Sequence, residues 1–284
     1  MKTQFLYLSL LLITFITACS DSDDAPIDFG VLETQDLVLL SNIEKADHSI
    51  LLFSKNQELT TGYNELFIQL KDLDGNYIDT ATFNWEPIMD MGMMMHSAPY
   101  SDIARTPNTQ TLYSGYIVFQ MPSAADLSNS WTLELDYSIH ANDYIHNETL
   151  FVNPSTQKNI SVFEASNGNN YILALIEPSQ PQIGGNDLVI GLFQRVDMHH
   201  FPIADNYSIK VDPRMPGMGN HSSPNNMNCT QSTTDNFYHG LVNFNMTGAW
   251  TINLMLENES QQVIMGEEVT DTTPTSSIYL EVTF

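Results

Sequence analysis

Two short stretches of this chain carry the residue types that could bind a soft metal ion. One reads Met89-Asp90-Met91-Gly92-Met93-Met94-Met95-His96, the other Met215-Pro216-Gly217-Met218-Gly219-Asn220-His221. Thioether sulfur is soft, uncharged and needs no deprotonation, so methionine ligands favour Cu(I) and discriminate against Zn(II), Mg(II) and Ca(II). An imidazole adds a borderline donor that also tolerates Cu(II). Two or three Met with one His would hold Cu(I) in an oxidising exterior, where a pair of thiols would close into a disulfide. In the second stretch the candidate ligands are Met215, Met218 and His221, with Gly217 and Gly219 letting the loop fold back on itself. Met246, on a later strand, could close that site. In the first stretch the matching set is Met91 or Met93, His96 and Met121, with Met89, Met94 and Met95 as spares.

Methionine is also a flexible filler of apolar cores, and a Met cluster by itself reads as well as packing. Met121 and Met246 suit that role, since their strands already alternate with apolar residues. The loop around Met93 does not: five Met between positions 89 and 95, broken by Asp90 and Gly92, fit no strand alternation. So many apolar side chains on a loop call for a reason. The other histidines are weaker candidates. His199 and His200 sit in a polar turn that reads as exposed surface, and His239 is replaced by Ser114 at the matching position. His140 and His146 fall in a loop over 139–148, and His48 in a hairpin. Cys229 would strengthen a Cu(I) site as a thiolate, though an inert buried thiol is the simpler reading.

The two stretches belong to a longer repeat. An offset of 125 residues carries Met93 to Met218, His96 to His221, Pro99 to Pro224, Tyr113 to Tyr238, Gly115 to Gly240, Phe119 to Phe244 and Met121 to Met246. Each stretch follows an extended segment ending in Pro (Pro87, Pro213) and precedes a Tyr-x-Gly strand. The chain therefore reads as an internal duplication.

The elements that must position these residues are strands. After residue 30 short apolar and alternating runs recur between Gly, Pro, Asn and Asp, the all-β signature. Strands are expected over 38–42, 49–54, 64–71, 77–84, 112–121, 131–137 and 149–152, then over 160–164, 171–177, 187–194, 207–211, 237–246, 250–256 and 278–282. Seven strands in roughly 120 residues match an immunoglobulin-like β-sandwich, so the expected fold is all-β with two tandem sandwiches, over 34–153 and 158–284.

Composition narrows the function classes. The 284 residues include 34 Asp+Glu against 9 Lys+Arg, a net charge of -25. So acidic a surface repels phosphate backbones and excludes nucleic acid as a natural partner. No nucleophile elbow, HExxH helix or phosphate-binding Gly-rich loop is present, and the chain is expected not to be an enzyme. Residues 1–18 read as an export signal: Lys2, an apolar run over 5–16, then small residues. Ile16-Thr17-Ala18-Cys19 is similar to a bacterial lipobox, which would make Cys19 the lipidated first residue of the mature chain, anchored to a membrane. Ser20-Asp21-Ser22-Asp23-Asp24 resembles the acidic tag of Bacteroidetes lipoproteins sent to the outer face of the outer membrane, at the head of an acidic tether over 19–33.

Met215-Pro216-Gly217-Met218, His221, Tyr238-His239-Gly240 and Met246-Thr247-Gly248-Ala249-Trp250 together resemble the YtkA-like family, related to FixH-type proteins. The first half is a looser match, with Pro87-Ile88-Met89-Asp90-Met91, His96 and Tyr113-Ser114-Gly115, and with its turn enlarged between Met121 and Trp131. The resemblance implies an extracytoplasmic β-sandwich and a role in copper handling, by analogy with FixH-type proteins that accompany assembly of copper-dependent terminal oxidases. The expected function is capture, buffering or delivery of copper by a lipid-anchored surface protein, with a copper-dependent protein as partner. The alternative is a cell-surface module that binds a protein or glycan and uses its Met loops as apolar contacts.

Overall fold

The computed structural model describes residues 29–284; the export segment and Cys19 lie outside the described residues. The tether expected over 19–33 is docked at its end. A helical turn at Phe29–Leu32 offers the Gly30 carbonyl to Gln69 Nε2 (2.9 Å), and Glu33 accepts from Thr111 N–H (3.0 Å) and Thr111 Oγ1 (2.6 Å). Among the described residues no helix is long and apolar enough to cross a membrane.

The first half comprises β1 (Val38–Glu44), β2 (His48–Ser54), β3 (Leu59–Thr60), β4 (Gly62–Asp72), β5 (Ala81–Asp90), β6 (Met95–His96), β7 (Ala104–Arg105), β8 (Leu112–Phe119), β9 (Trp131–Ile139), β10 (Asn142–Leu150) and β11 (Val152–Asn153). The second comprises β12 (Ile160–Glu164), β13 (Asn170–Glu177), β14 (Gly184–Arg195), β15 (Ser208–Met215), β16 (His221–Ser222), β17 (Met227–Gln231), β18 (Tyr238–Phe244), β19 (Ala249–Glu257), β20 (Val263–Met265) and β21 (Ile278–Thr283). The protein is all-β, as its alternating patterns require.

In the first half β1-β2-β4-β8-β7 face β10-β9-β5-β6 across a core built on Leu66, Trp85, Met89, Phe119 and Trp131. The second half repeats both orders, as β12-β13-β14-β18-β17 and as β19-β15-β16 flanked by β20 and β21. There β17 also pairs with β15, so the two layers join into one continuous sheet. A third apolar cluster, with Val118, Tyr63 and Tyr116 from one half and Ile172, Phe193 and Phe237 from the other, packs the halves together.

Matching side chains make matching bonds in the two halves. Asn64 bridges the Thr60 N–H and carbonyl (3.1 and 2.7 Å), as Asn186 bridges those of Gln182 (2.9 and 2.8 Å). Tyr113 donates to the Asp79 carbonyl (3.1 Å), and Tyr238 to that of Ala204 (2.6 Å). The glycine two residues on is a matter of space in both. A Cβ on Gly115 would lie 2.6 Å from the Trp85 ring, and one on Gly240 would lie 2.6 Å from the Met227 carbonyl and 2.7 Å from Cys229 Sγ.

Several elements differ from the sequence reading. The loop expected over 139–148 is strand β10, joined to β9 by a two-residue turn with positive φ at His140 and Ala141. Its outward polar side chains mask the strand in the sequence, since an edge strand with one wet face needs few apolar residues. β5 and β15 run past Pro87 and Pro213 to Asp90 and Met215. Each proline sits within the ladder to its neighbour, opposite Leu133 and Ile252. The short strand on the other side pairs only beyond it, at Met89 and Arg214, so the missing N–H costs no sheet bond there.

Candidate metal centre

The side chains of interest lie in a row across each sandwich. Met89 on β5 is the ladder partner of Trp131 on β9 and of His96 on β6. Directly opposed residues point to one face, so Trp131, Met89 and His96 share the core side of the sheet. Met89 and Trp131 are wholly buried, and the His96 ring meets the Trp131 ring edge-on at 5.3 Å. Met121 packs against the same core, and its carbonyl accepts the Trp131 indole N–H at 2.9 Å.

The second row has the same composition. Met215 pairs with His221, and the ladder from Arg214 to Thr251 brings the next residues, Met215 and Trp250, side by side. Met215 is 4% exposed, its methyl lies 3.1 Å from where a Gly248 Cβ would be, and Met246 packs against this core. The Trp250 indole donates to the Met246 carbonyl (3.1 Å). Tryptophan stands outside the Met/His pattern; its signal in the sequence is the Trp shared near the start of β9 and β19, Trp131 and Trp250.

The ladders reassign the ligand sets. The residue that matches Met215 is Met89, a spare by sequence spacing, because the first hairpin is one residue longer and the 125-residue offset slips there. Met91 and Met93 stand on the tip, 38% and 103% exposed, with Met94 and Met95 also open to solvent. The tip is a tight turn in which Met91 N–H donates to the Met94 carbonyl (2.9 Å) and Gly92 N–H to Asp90 Oδ1 (2.7 Å). Met218 ends a short 3-10 turn (Pro216–Met218) and is likewise exposed, apart from Met215. The ladders therefore set Met89 beside His96 and Met215 beside His221, Met121 and Met246 pack against the respective cores, and Met91, Met93 and Met218 stand exposed.

The two imidazoles are held differently. His96 Nδ1 lies 2.9 Å from the Ser97 carbonyl. A carbonyl only accepts, so Nδ1 is the donor there and Nε2 is the ring nitrogen left for another partner. His221 is exposed, and its Nε2 lies 3.0 Å from the Asn245 side-chain amide nitrogen, which donates to it. A metal at the second row would have to displace that amide.

Among the described residues no group of three or more His, Cys, Asp and Glu is arranged to hold a metal. An imidazole paired across the ladder with a thioether, as His96 is with Met89 and His221 with Met215, is a donor combination of the kind that suits Cu(I). Cys229, on β17, is buried, and burial pushes its thiol up to about 12. Neutral at ordinary pH, it is a poor ligand. His239 and His200 are exposed and paired with Asp235 (2.9 Å) and Asp197 (2.7 Å). His146 lies 3.0 Å from Glu148, and buried His48 bridges Asp47 and Tyr137 (2.7 Å each).

Residues 165–255 match the model of the YtkA-like family. That stretch contains the whole second row, from Met215 through His221 and Met246 to Trp250. Among solved structures, a DUF4785 family protein of Legionella pneumophila is similar at 9% identity and a TM-score of 0.26, over 78% of this chain and 54% of that one. A chimeric titin Z1Z2–Z1Z2 tandem is similar at 12% identity and a TM-score of 0.20, over 80% of this chain and 94% of that one. This chain thus spans about half the length of the Legionella protein. None of the curated proteins matches it.

Proposed function

We propose that this protein binds Cu(I) without catalysing a reaction, at two sites of common origin, one in each of two tandem YtkA-like sandwiches. The observation that carries this reading is the doubled row Trp–Met–His, closed in each half by a second methionine whose carbonyl holds the tryptophan. A core packed only for stability needs no imidazole at the end of such a row, whereas a soft cation needs that imidazole beside thioether sulfur. Capture, buffering or delivery outside the cytoplasm fits the export signal and lipobox, with Cys19 as the anchor on the outer face of the outer membrane.

The test is Cu(I) titration of the mature chain. Uptake of two equivalents is expected, with one lost in His96→Ala and the other in His221→Ala. Uptake no greater than that of a Met-poor control protein would end the copper reading.

A second reading, a surface module that grips a protein or glycan, is favoured by the open Met93–Met95 tip. It requires metal-free protein to bind its partner. Conversion of Met93, Met94 and Met95 to Ser, which leaves both rows intact, would then abolish that binding.

A further inference from the structure

The turn between β14 and β15 has a twin between β4 and β5. Between β4 and β5, Asp72 Oδ1 accepts from Asp74 N–H (3.0 Å) and Asn76 N–H (2.8 Å). Between β14 and β15, Asp197 Oδ1 accepts from His199 N–H (2.7 Å) and His200 N–H (2.9 Å). The same 125-residue offset relates Asp72 to Asp197. The aspartate anchors are alike, yet the side chains they display are not. One turn shows Leu73-Asp74-Gly75, the other Met198-His199-His200.

What separates the two turns is where they lie. The Leu73 turn is open, with Leu73 72% exposed. The Met198 turn is seated on the first sandwich beside its candidate metal centre. Ser97 N–H donates to the Met198 carbonyl at 2.7 Å, and His199 Nδ1 lies 2.8 Å from Glu86 Oε1 on β5. Ser97 is the residue that follows His96 and holds its Nδ1. Soft and borderline donors thus stand at the one copy of this turn that meets a Met/His row.

The two imidazoles of the turn are also set for binding. His199 Nδ1 faces Glu86 and His200 Nδ1 faces Asp197 (2.7 Å), so each ring donates to a carboxylate through Nδ1, and Nε2 is its remaining nitrogen. Such a carboxylate–imidazole pair is the usual outer shell of a metal-binding histidine. Met198 remains partly exposed, and its three side-chain torsions let the sulfur reach around its fixed backbone.

We propose that the Met198–His200 turn completes the first copper site, so that Cu(I) on His96 and Met89 is capped from the second sandwich by the Met198 sulfur. The site is then shared between the halves, whereas the Met215–His221 row has only its own half to draw on. The two sites differ in affinity, the first being tighter. This proposal rests on the copper reading.

The experiment is a two-site Cu(I) competition titration of the whole chain against a chromophoric Cu(I) chelator, in wild type, Met198→Leu and His199→Asn/His200→Asn. Two equivalents of unequal affinity are expected in wild type. Met198→Leu removes a direct ligand and should weaken the tighter site about hundredfold while leaving the other unchanged. The double His variant, which loses the His199–Glu86 contact that seats the turn, should weaken the tighter site alone. Two sites that Met198→Leu leaves unmoved would overturn the shared site and keep the copper reading. No Cu(I) binding in wild type would overturn both. Thermal melting of each variant checks that the exposed substitutions leave the fold intact.

Discussion

The sharpest test of the ligand assignment sets Met89→Leu against Met93→Leu. Sequence spacing alone favours Met93, which aligns with Met218; the ladders favour Met89, which aligns with Met215. Met89 is wholly buried, and Leu is close to it in volume, so the swap should cost under about 1.5 kcal/mol of stability. Met93 is fully exposed, so its replacement should change stability by less than about 0.5 kcal/mol. Both variants therefore fold, and neither loses a side chain large enough to collapse the core. Copper affinity should separate them sharply. Loss of an outer-shell partner costs about 10–100-fold in metal affinity, and loss of a direct ligand should reach at least the upper end of that range. A hundredfold loss is about 2.7 kcal/mol. Competition for Cu(I) against a chromophoric chelator should thus show the His96 site weakened about hundredfold or more in Met89→Leu and little changed in Met93→Leu. Quenching of Trp131 on loading gives an independent readout, since its ring lies against His96. If Met93→Leu abolishes binding while Met89→Leu leaves it intact, the row is mere packing and the tip is the site.

Further outcomes follow from single contacts. Asn245→Ala removes the amide that occupies His221 Nε2; one hydrogen bond is worth about 1 kcal/mol, so the second site should bind Cu(I) about fivefold tighter by the same competition assay. Gly240→Ala would press a methyl against the Met227 carbonyl and Cys229 Sγ, and should lower stability by about 1–3 kcal/mol in chemical denaturation. Burial raises the Cys229 thiol from 9.0 to about 12, so the folded protein keeps a proton that the unfolded chain releases. Its contribution to stability is whole below pH 9 and lost between pH 9 and 12. Alkylation of Cys229 at pH 8 should accordingly be slow in the native state and fast in denaturant, and Cys229→Ser should flatten the alkaline loss of stability.

Much of the architecture was legible in the chain itself. Alternation and turn residues gave the all-β class, and the 125-residue offset marked the paired Tyr-x-Gly strands whose tyrosines do make equivalent bonds. Chemistry was legible too, since thioether and imidazole donors are evident from residue type alone. Tertiary structure decided which of them meet. A hairpin one residue longer shifts the register between Met89 and Met215, and only the ladder shows that Met89, not Met93, faces His96. Strand β10 was hidden because an edge strand satisfies its backbone through a neighbour, not through its own side chains. The seating of Met198 beside Ser97 joins residues about a hundred positions apart, and no local pattern encodes such a contact. Periodicity reports which face a side chain takes; proximity across strands and between halves is fixed by packing, where the chain folds back on itself.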